Sequence, residues 1–247
     1  MRLLLLNPNT TEAMTEQMFE VALATSGPDV EIIPATVTRG VPYIASRAEA
    51  QIAGAEVLDV LAREADGIDA AIIAAFGDPG VIAARELFDF PVIGVAEAAV
   101  MSAALLGERF GVVTFSPLMA RWYTACVQQT GLANRFTGVR CPDTPPDNVG
   151  TVATALRSDL IALTELAAKQ DCADVVILGG APLAGLAAKL ATDAPCLLVD
   201  PVAAAVVQAT GLVRLAPSYA NRSSLPAAKT STGLGPALAA VLSEDRR

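Results

Sequence analysis

Short apolar runs that stop abruptly at Gly, Pro, Asn, Thr or Asp alternate with longer stretches in which apolar residues return every three or four positions. The first pattern predicts strands buried on both faces, and the second predicts helices laid against them. On this basis residues 2–6 are a strand, 7–10 a turn, and a helix capped by Thr10 or Thr11 runs to about residue 24. A second strand covers 30–35, a loop 36–46, a helix 47–65 and a third strand 70–75. Gly77-Asp78-Pro79-Gly80 is a tight turn, followed by a helix over 81–87, a strand over 92–95 and a helix over 98–106. The scheme then recurs: strand 111–114, helix 120–129, strand 136–140, a Pro-rich loop 141–148, helix 150–169, strand 175–178, helix 183–190, strand 196–199 and helix 202–209. A poorly defined tail over 216–233 precedes a closing helix at 236–242. Strands alternating with helices imply right-handed βαβ crossovers and mostly parallel sheets.

The recurrence is visible in the residues themselves. DAAIIAAFGDPG at 69–80 is echoed by DVVILGGAPLAG at 174–185, a shift of 105. RLLLLNPNT at 2–10 is echoed by RFGVVTFSP at 109–117, and PVIGVAEAAV at 91–100 by PCLLVDPVAAAV from residue 195, shifts of 107 and 104. Three blocks in the same order make the chain two similar half-units. The fold expected is α/β, with two pseudo-symmetric half-domains, each a mostly parallel sheet with flanking helices. Residues 1–97 with about 205–247 form the first lobe, and about 98–204 the second. Ligands of such folds sit beyond the carboxyl ends of strands, which points to four turns: 7–10, 76–80, 114–117 and 179–185.

Composition narrows the function. The chain is 53% hydrophobic, yet no apolar stretch approaches the roughly 18 residues that cross a bilayer. Residues 3–6 are too short for a signal segment and are broken by Asn-Pro-Asn. A cytoplasmic protein with no membrane partner is expected. Lys and Arg number 17 against 26 acids, a net charge of −9, which argues against nucleic acid. Absence of histidine removes the commonest general base and most metal sites. Cys126, Cys141, Cys172 and Cys196 lack metal spacing, and Cys172 and Cys196 border apolar runs where a buried thiol is the usual outcome. Neither a metal nor a cofactor is expected.

The four turns resemble the aspartate/glutamate/hydantoin racemase superfamily, nearest its hydantoin and allantoin racemase branch. The residues that carry the resemblance are NPNT (7–10), FGDPG (76–80), PVIGVAEAA (91–99), VVT (112–114) and LGGAPLAGL (178–186). The resemblance implies two pseudo-symmetric domains with the site in the cleft between them, and often a homo-oligomer. It also implies cofactor-free chemistry at an acidic carbon of a small carboxylate or cyclic ureide. It further implies two cysteines, one on each side of the substrate; the matching positions here hold Ala75 and Gly180. A methyl group and a hydrogen can neither remove nor return a proton, and no remaining cysteine falls at a matching position.

Candidate site residues follow from the turns. Asn7, Asn9 and Thr10 offer amide, hydroxyl and helix N–H groups to a carboxylate or imide oxygen, against an ordinary capped turn. Asp78 is an ionisable group within reach of the vacant thiol position and a candidate base, with capping of the helix from Val81 as its alternative duty. Phe76 and the amides of Phe76 and Gly77 are one wall of an oxyanion pocket. Thr114 and Ser116 are the repeat partners of the first turn, and Gly180 and Ala181 supply further backbone N–H groups. Tyr43, in the loop after the second strand, is a candidate proton donor or pocket cover. Glu97 and Asp200 follow equivalent strands as cleft groups or helix-start carboxylates, and Arg121, Arg140 and Arg222 are carboxylate clamps or surface ion pairs.

Two functions follow. One is a racemase-superfamily enzyme, an isomerase or a one-base decarboxylase or lyase, acting on a small cyclic ureide, imide or carboxylate. The other is a binder of the same small anionic or cyclic ureide ligands without turnover.

Overall fold

The structure is a computed structural model that describes residues 1–222 and 225–243. The first sheet contains β1 (Arg2–Asn7), β2 (Glu31–Thr36), β3 (Ala70–Ile73) and β4 (Val92–Gly94) in the order β2-β1-β3-β4. Its helices are α1 (Glu12–Thr25), α2 (Arg47–Glu64), α3 (Val81–Leu87) and α4 (Val95–Leu106). The second sheet contains β5 (Phe110–Val113), β6 (Phe136–Arg140), β7 (Val175–Leu178) and β8 (Leu197–Val199) in the order β6-β5-β7-β8. With it come α5 (Pro117–Gln129), α6 (Val152–Ala155), α7 (Arg157–Gln170), α8 (Leu186–Leu190) and α9 (Pro201–Leu215); α10 (Pro236–Ser243) closes the chain. Every strand pairing is parallel, and the two orders are identical after the repeat shift.

Side-chain alternation explains how both faces of each sheet are buried. In β1, Leu3 and Leu5 enter a central cluster that also takes Ile72, Phe110, Val112 and Val175, so this core lies between the two sheets. Leu4 and Leu6 point the other way, into an outer cluster with Ile73, Val57, Leu61 and Val81, which Leu238 of α10 completes. Val113, Val176 and Leu178 likewise face an outer cluster with Leu160 and Leu186. Each such leucine contributes about 1.5–3 kcal/mol on burial, which is why runs such as LLLL are strands and not exposed loops.

The fourth helix of each half crosses over. Helix α4 packs on β7, β8 and β5 of the second sheet, whereas α9 packs on β3, β4 and α1 of the first, and the two helices lie against each other. Gln208 of α9 donates to the Ala98 carbonyl at 2.8 Å and to the Ser102 hydroxyl at 3.1 Å, both on α4. On the opposite flank Gln17 of α1 donates to the Pro182 and Ala184 carbonyls at 3.2 and 2.9 Å.

Several boundaries differ from expectation. Helices α5 and α9 start at Pro117 and Pro201, because proline is pre-set for the first helical turn. Helix α9 continues to Leu215 instead of stopping near residue 209. The helix expected over 150–169 is broken at Leu156, whose backbone (φ −105°, ψ 14°) leaves the helical region between α6 and α7. The helix expected from residue 183 begins at Leu186, after a 3₁₀ turn at Ala181–Leu183 and a left-handed Gly185. Cys172 is exposed and Cys196 half-buried, so neither is the interior thiol expected. Within the tail, a single 3₁₀ turn spans Tyr219–Asn221, and residues 223–224 lie outside the described residues.

Candidate active site

The first turn is an internally satisfied bracket. Asn7 is fully buried; its amide donates to Asn9 Oδ1 (3.1 Å), the Thr11 carbonyl (3.2 Å) and Thr15 Oγ1 (2.9 Å). Its oxygen accepts from the Asn9 backbone at 3.2 Å. Asn9 Oδ1 takes the Thr11 N–H at 2.9 Å, and its own amide lies 3.6 Å from Met14 Sδ. Thr10 donates its backbone N–H to the Val41 carbonyl at 3.0 Å, and the Thr11 hydroxyl reaches the Pro42 carbonyl at 2.6 Å. The side-chain cap expected of Thr10 or Thr11 is therefore absent, because that hydroxyl anchors the following loop instead. Asn7, Asn9 and Thr10 position the strand end; the Asn7 and Asn9 side chains and the Thr10 N–H are spent on the chain itself.

In the next turn Asp78 adopts a left-handed backbone (φ 50°), and its carboxylate turns away from α3. One oxygen accepts from the Ala96 N–H and the other from the Glu97 N–H, each at 2.8 Å, so Asp78 caps α4 across the sheet. This corrects the expected cap of the helix from Val81. The capping is possible because residue 94 is glycine: a Cβ there would fall inside the Asp78 carboxyl group. Burial raises the acid from 3.8 to about 7, outweighing the two amides and Arg85, which favour the ionised form. Glu97 itself pairs with Arg85 and stays out of the cleft.

The second half supplies an aromatic wall. Thr114 is fully buried and donates its hydroxyl to the Gly179 carbonyl at 2.8 Å; Ser116 caps α5 by accepting from Leu118 N–H at 3.4 Å. Phe76 and Tyr123 pack in a tilted contact with ring centroids 4.4 Å apart, and Tyr123 meets Trp122 at 5.9 Å. Gly77 (φ 127°) lies flat against the Trp122 indole, leaving no room for a side chain. A Cβ at Gly180 (φ 124°) would sit 2.6 Å from Phe115 Cε1 and 3.6 Å from the Tyr123 hydroxyl. Tyr43 packs on Phe115 at 5.9 Å, and its hydroxyl is buried with no hydrogen-bond partner. Burial raises both phenols, Tyr43 and Tyr123, so each is neutral and a donor.

Two spaces result, and they divide the expected site residues. A small cavity of about 10 Å³ between the sheets is lined by Phe76, Gly180, Ala181, Met18 and Val95, among others. A larger hollow of about 460 Å³ lies between α2, the 77–80 turn and α5, and takes Gly77 and Asp78. Asp78 therefore does not share a space with Gly180, although its N–H bonds the Ala75 carbonyl at 3.0 Å. Among the described residues the amides of Phe76, Gly180 and Ala181 donate to no protein acceptor. Phe76, Gly180 and Ala181, from two repeat-related turns, thus line one cavity and carry unspent backbone donors.

Asp200 accepts from Val202 and Ala203 N–H (2.9 and 3.2 Å) and from Gly185 N–H (2.6 Å), a helix-start carboxylate as expected. Arg140 pairs with Asp171 at 2.6 Å, and Arg222 with Asp89 and the Phe88 carbonyl, so neither is a clamp over the cleft. Arg121 is exposed and lines neither space. Among the described residues no group of three acids or thiols is arranged to hold a metal ion. Phe115, Trp122, Tyr123, Cys126 and Arg47 escaped the sequence reading, because apolar spacing on α5 and a surface arginine at a helix start carry no chemical signal of their own.

Residues 3–209 match the model of the Asp/Glu/hydantoin racemase family. A hydantoin racemase from Paenarthrobacter aurescens is 31% identical over 222 residues, covering 87% of this chain and 92% of that protein. The structure of an allantoin racemase from Klebsiella pneumoniae superposes with a TM-score of 0.87 at 31% identity, covering 96% of this chain and 98% of the other. Arylmalonate decarboxylase, at 16% identity and a TM-score of 0.59 over 86% and 92% of the two chains, shares the fold.

Proposed function

This chain belongs to the Asp/Glu/hydantoin racemase family, and from that premise we propose a cofactor-independent enzyme that protonates an acidic carbon from one face only. Its substrates are small carboxylates, imides or cyclic ureides, the class named in its relatives. The supporting observation is the set of unspent donors around the inter-sheet cavity: the amides of Phe76, Gly180 and Ala181, with the unpartnered Tyr43 hydroxyl on the adjoining aromatic wall. A buried donor without an acceptor costs about 1–3 kcal/mol. An enolate oxygen satisfies such donors better than a ground-state carbonyl does, which is how charge stabilisation lowers a barrier.

In this reading a carboxylate on the acidic carbon departs as carbon dioxide, and the electron pair of the broken carbon–carbon bond moves into an enolate held by the amides. Tyr43, neutral because it is buried, gives its hydroxyl proton to the carbon, and water restores the phenol. Two-faced exchange needs a second proton carrier, and neither Ala75 nor Gly180 is one. Asp78 stands apart, committed to the start of α4.

The test is turnover in heavy water of arylmalonates, which carry a carboxylate to lose, following deuterium at the reacting carbon, with hydantoins and allantoin as controls that have no such group. One-faced labelling is expected, and Tyr43→Phe is expected to slow it roughly 10²–10⁴-fold. Racemic product, or labelling indifferent to that substitution, would overturn the reading. A second reading, binding without turnover, draws support from the cavity lining, which contains no ionisable side chain. It predicts thermal stabilisation rising with the logarithm of ligand concentration and no labelling.

A further inference from the structure

The hollow beside Asp78 has no part in that chemistry, yet it is built like a binding site. Its volume of about 460 Å³ falls in the range of small-molecule sites, roughly 300–1,000 Å³. Its lining joins an apolar surface, the Trp122 indole, to Arg47, Gln51, Gln129, Cys126 and Asp78. The two walls come from different halves of the chain, α2 with the 77–80 turn on one side and α5 on the other.

Its polar groups are available. Arg47 forms no ion pair among the described residues, in a chain whose other arginines commonly find an acid. The Gln51 and Gln129 amides likewise have no partner among the described residues. Each Asp78 oxygen accepts one amide at 2.8 Å, which leaves each a further lone pair. Arg47, Asp78 and Cys126 all line the hollow. A cation and an oxygen acceptor in the lining of one hollow select a ligand that carries both an anion and a donor.

We propose that this hollow is a second small-molecule site, separate from the inter-sheet cavity, for a small carboxylate that carries an N–H donor a few bonds away. Arg47 grips the carboxylate with its planar fork. Asp78 accepts the N–H, and the glutamine amides cover the carbonyl between them. Because Asp78 also holds α4, whose first residue Val95 lines the inter-sheet cavity, occupancy here bears directly on that wall.

Trp122 is the chain's single tryptophan and lines this hollow, so its emission responds to an occupant there. The probe is N-acetylglycine, titrated against the full chain with heat of binding measured in parallel. A saturable emission change is expected, with a dissociation constant of about 1 mM or tighter. Acetate, which lacks the N–H, is expected to bind roughly tenfold more weakly, and Arg47→Gln to weaken N-acetylglycine by at least about tenfold. Tyr43→Phe should leave the titration unchanged. Absence of saturation, indifference to Arg47→Gln, or loss on Tyr43→Phe would each overturn the assignment. The last result would move the ligand to the inter-sheet cavity, whereas failure of the turnover experiment leaves this titration untouched.

Discussion

Both halves of the molecule tie the turn after their third strand to the start of their fourth helix with one carboxylate, but they do so from opposite ends. In the first half Asp78 sits in the turn and reaches forward to the Ala96 and Glu97 amides. In the second, Asp200 sits at the start of its own helix and reaches back to the Gly185 amide. The repeat shifts of 105 and 104 pair Asp78 with Leu183 and Asp200 with Ala96, so neither acid has an acidic counterpart in the other half. What is shared is the place where negative charge meets helix N–H groups, not the residue that delivers it. Delivery from the turn has consequences that delivery from the helix lacks: residue 78 must take a left-handed backbone, and residue 94 must have no side chain.

The sharpest way to break this comparison is to put a side chain where the first half tolerates none. Gly94→Val drives a side chain into the Asp78 carboxyl. It is expected to cost about 3–5 kcal/mol, combining overpacking with loss of the cap. Denaturant unfolding of Gly94→Val, Asp78→Ala and the double variant checks it: the double should cost less than the sum.

A smaller effect separates the two positions the resemblance assigns to thiols. Gly180→Cys needs a left-handed backbone with a Cβ 2.6 Å from Phe115, and about 2–3 kcal/mol of stability should be lost. Ala75→Cys only adds one atom to a β-carbon already present, so its melting temperature should shift far less. Equal losses would mean the aromatic wall yields easily.

The smallest expected effect is in pH dependence. Burial holds Asp78 near 7 in the fold, while the unfolded acid titrates near 3.8, so folding disfavours the ionised form. The native state then binds more protons between those values, and the acid's contribution to stability falls as pH rises from about 4 to about 7. Relative to Asp78→Asn, the parent should lose on the order of 1 kcal/mol per pH unit inside that window. Asp200 is raised by burial too, but three N–H bonds oppose the shift, so Asp200→Asn should flatten the profile less. A parent that gains on Asp78→Asn as pH rises would reverse the assignment.

Much of the architecture is legible because the central strands β1, β3, β5 and β7 are buried on both faces. A run such as residues 3–6 has no polar side from which a register could be misread, and its breaks at Asn-Pro-Asn are unambiguous. The site is legible by location only. Asn7 and Thr114 stand at the predicted strand ends, but residue type says nothing of where an amide or hydroxyl points, and both turn inward. The partner of Asp78 lies 18 residues away, beyond any local capping rule. Tyr123 and Trp122 read as ordinary core spacing on an amphipathic helix, since what distinguishes them is a glycine on the opposite lobe. Arg47 is the reverse case: only the absence of a neighbouring acid, a three-dimensional fact, sets it apart.

The crossing of α4 and α9 bears on how such a chain could arise. A solitary ancestral half would have left one face of its sheet bare and carried a helix with nothing beneath it. Such a unit would cover both faces of its sheet only by trading that helix with a twin. Severing the connection near Gly107 should accordingly yield fragments that are insoluble singly and recover order when mixed.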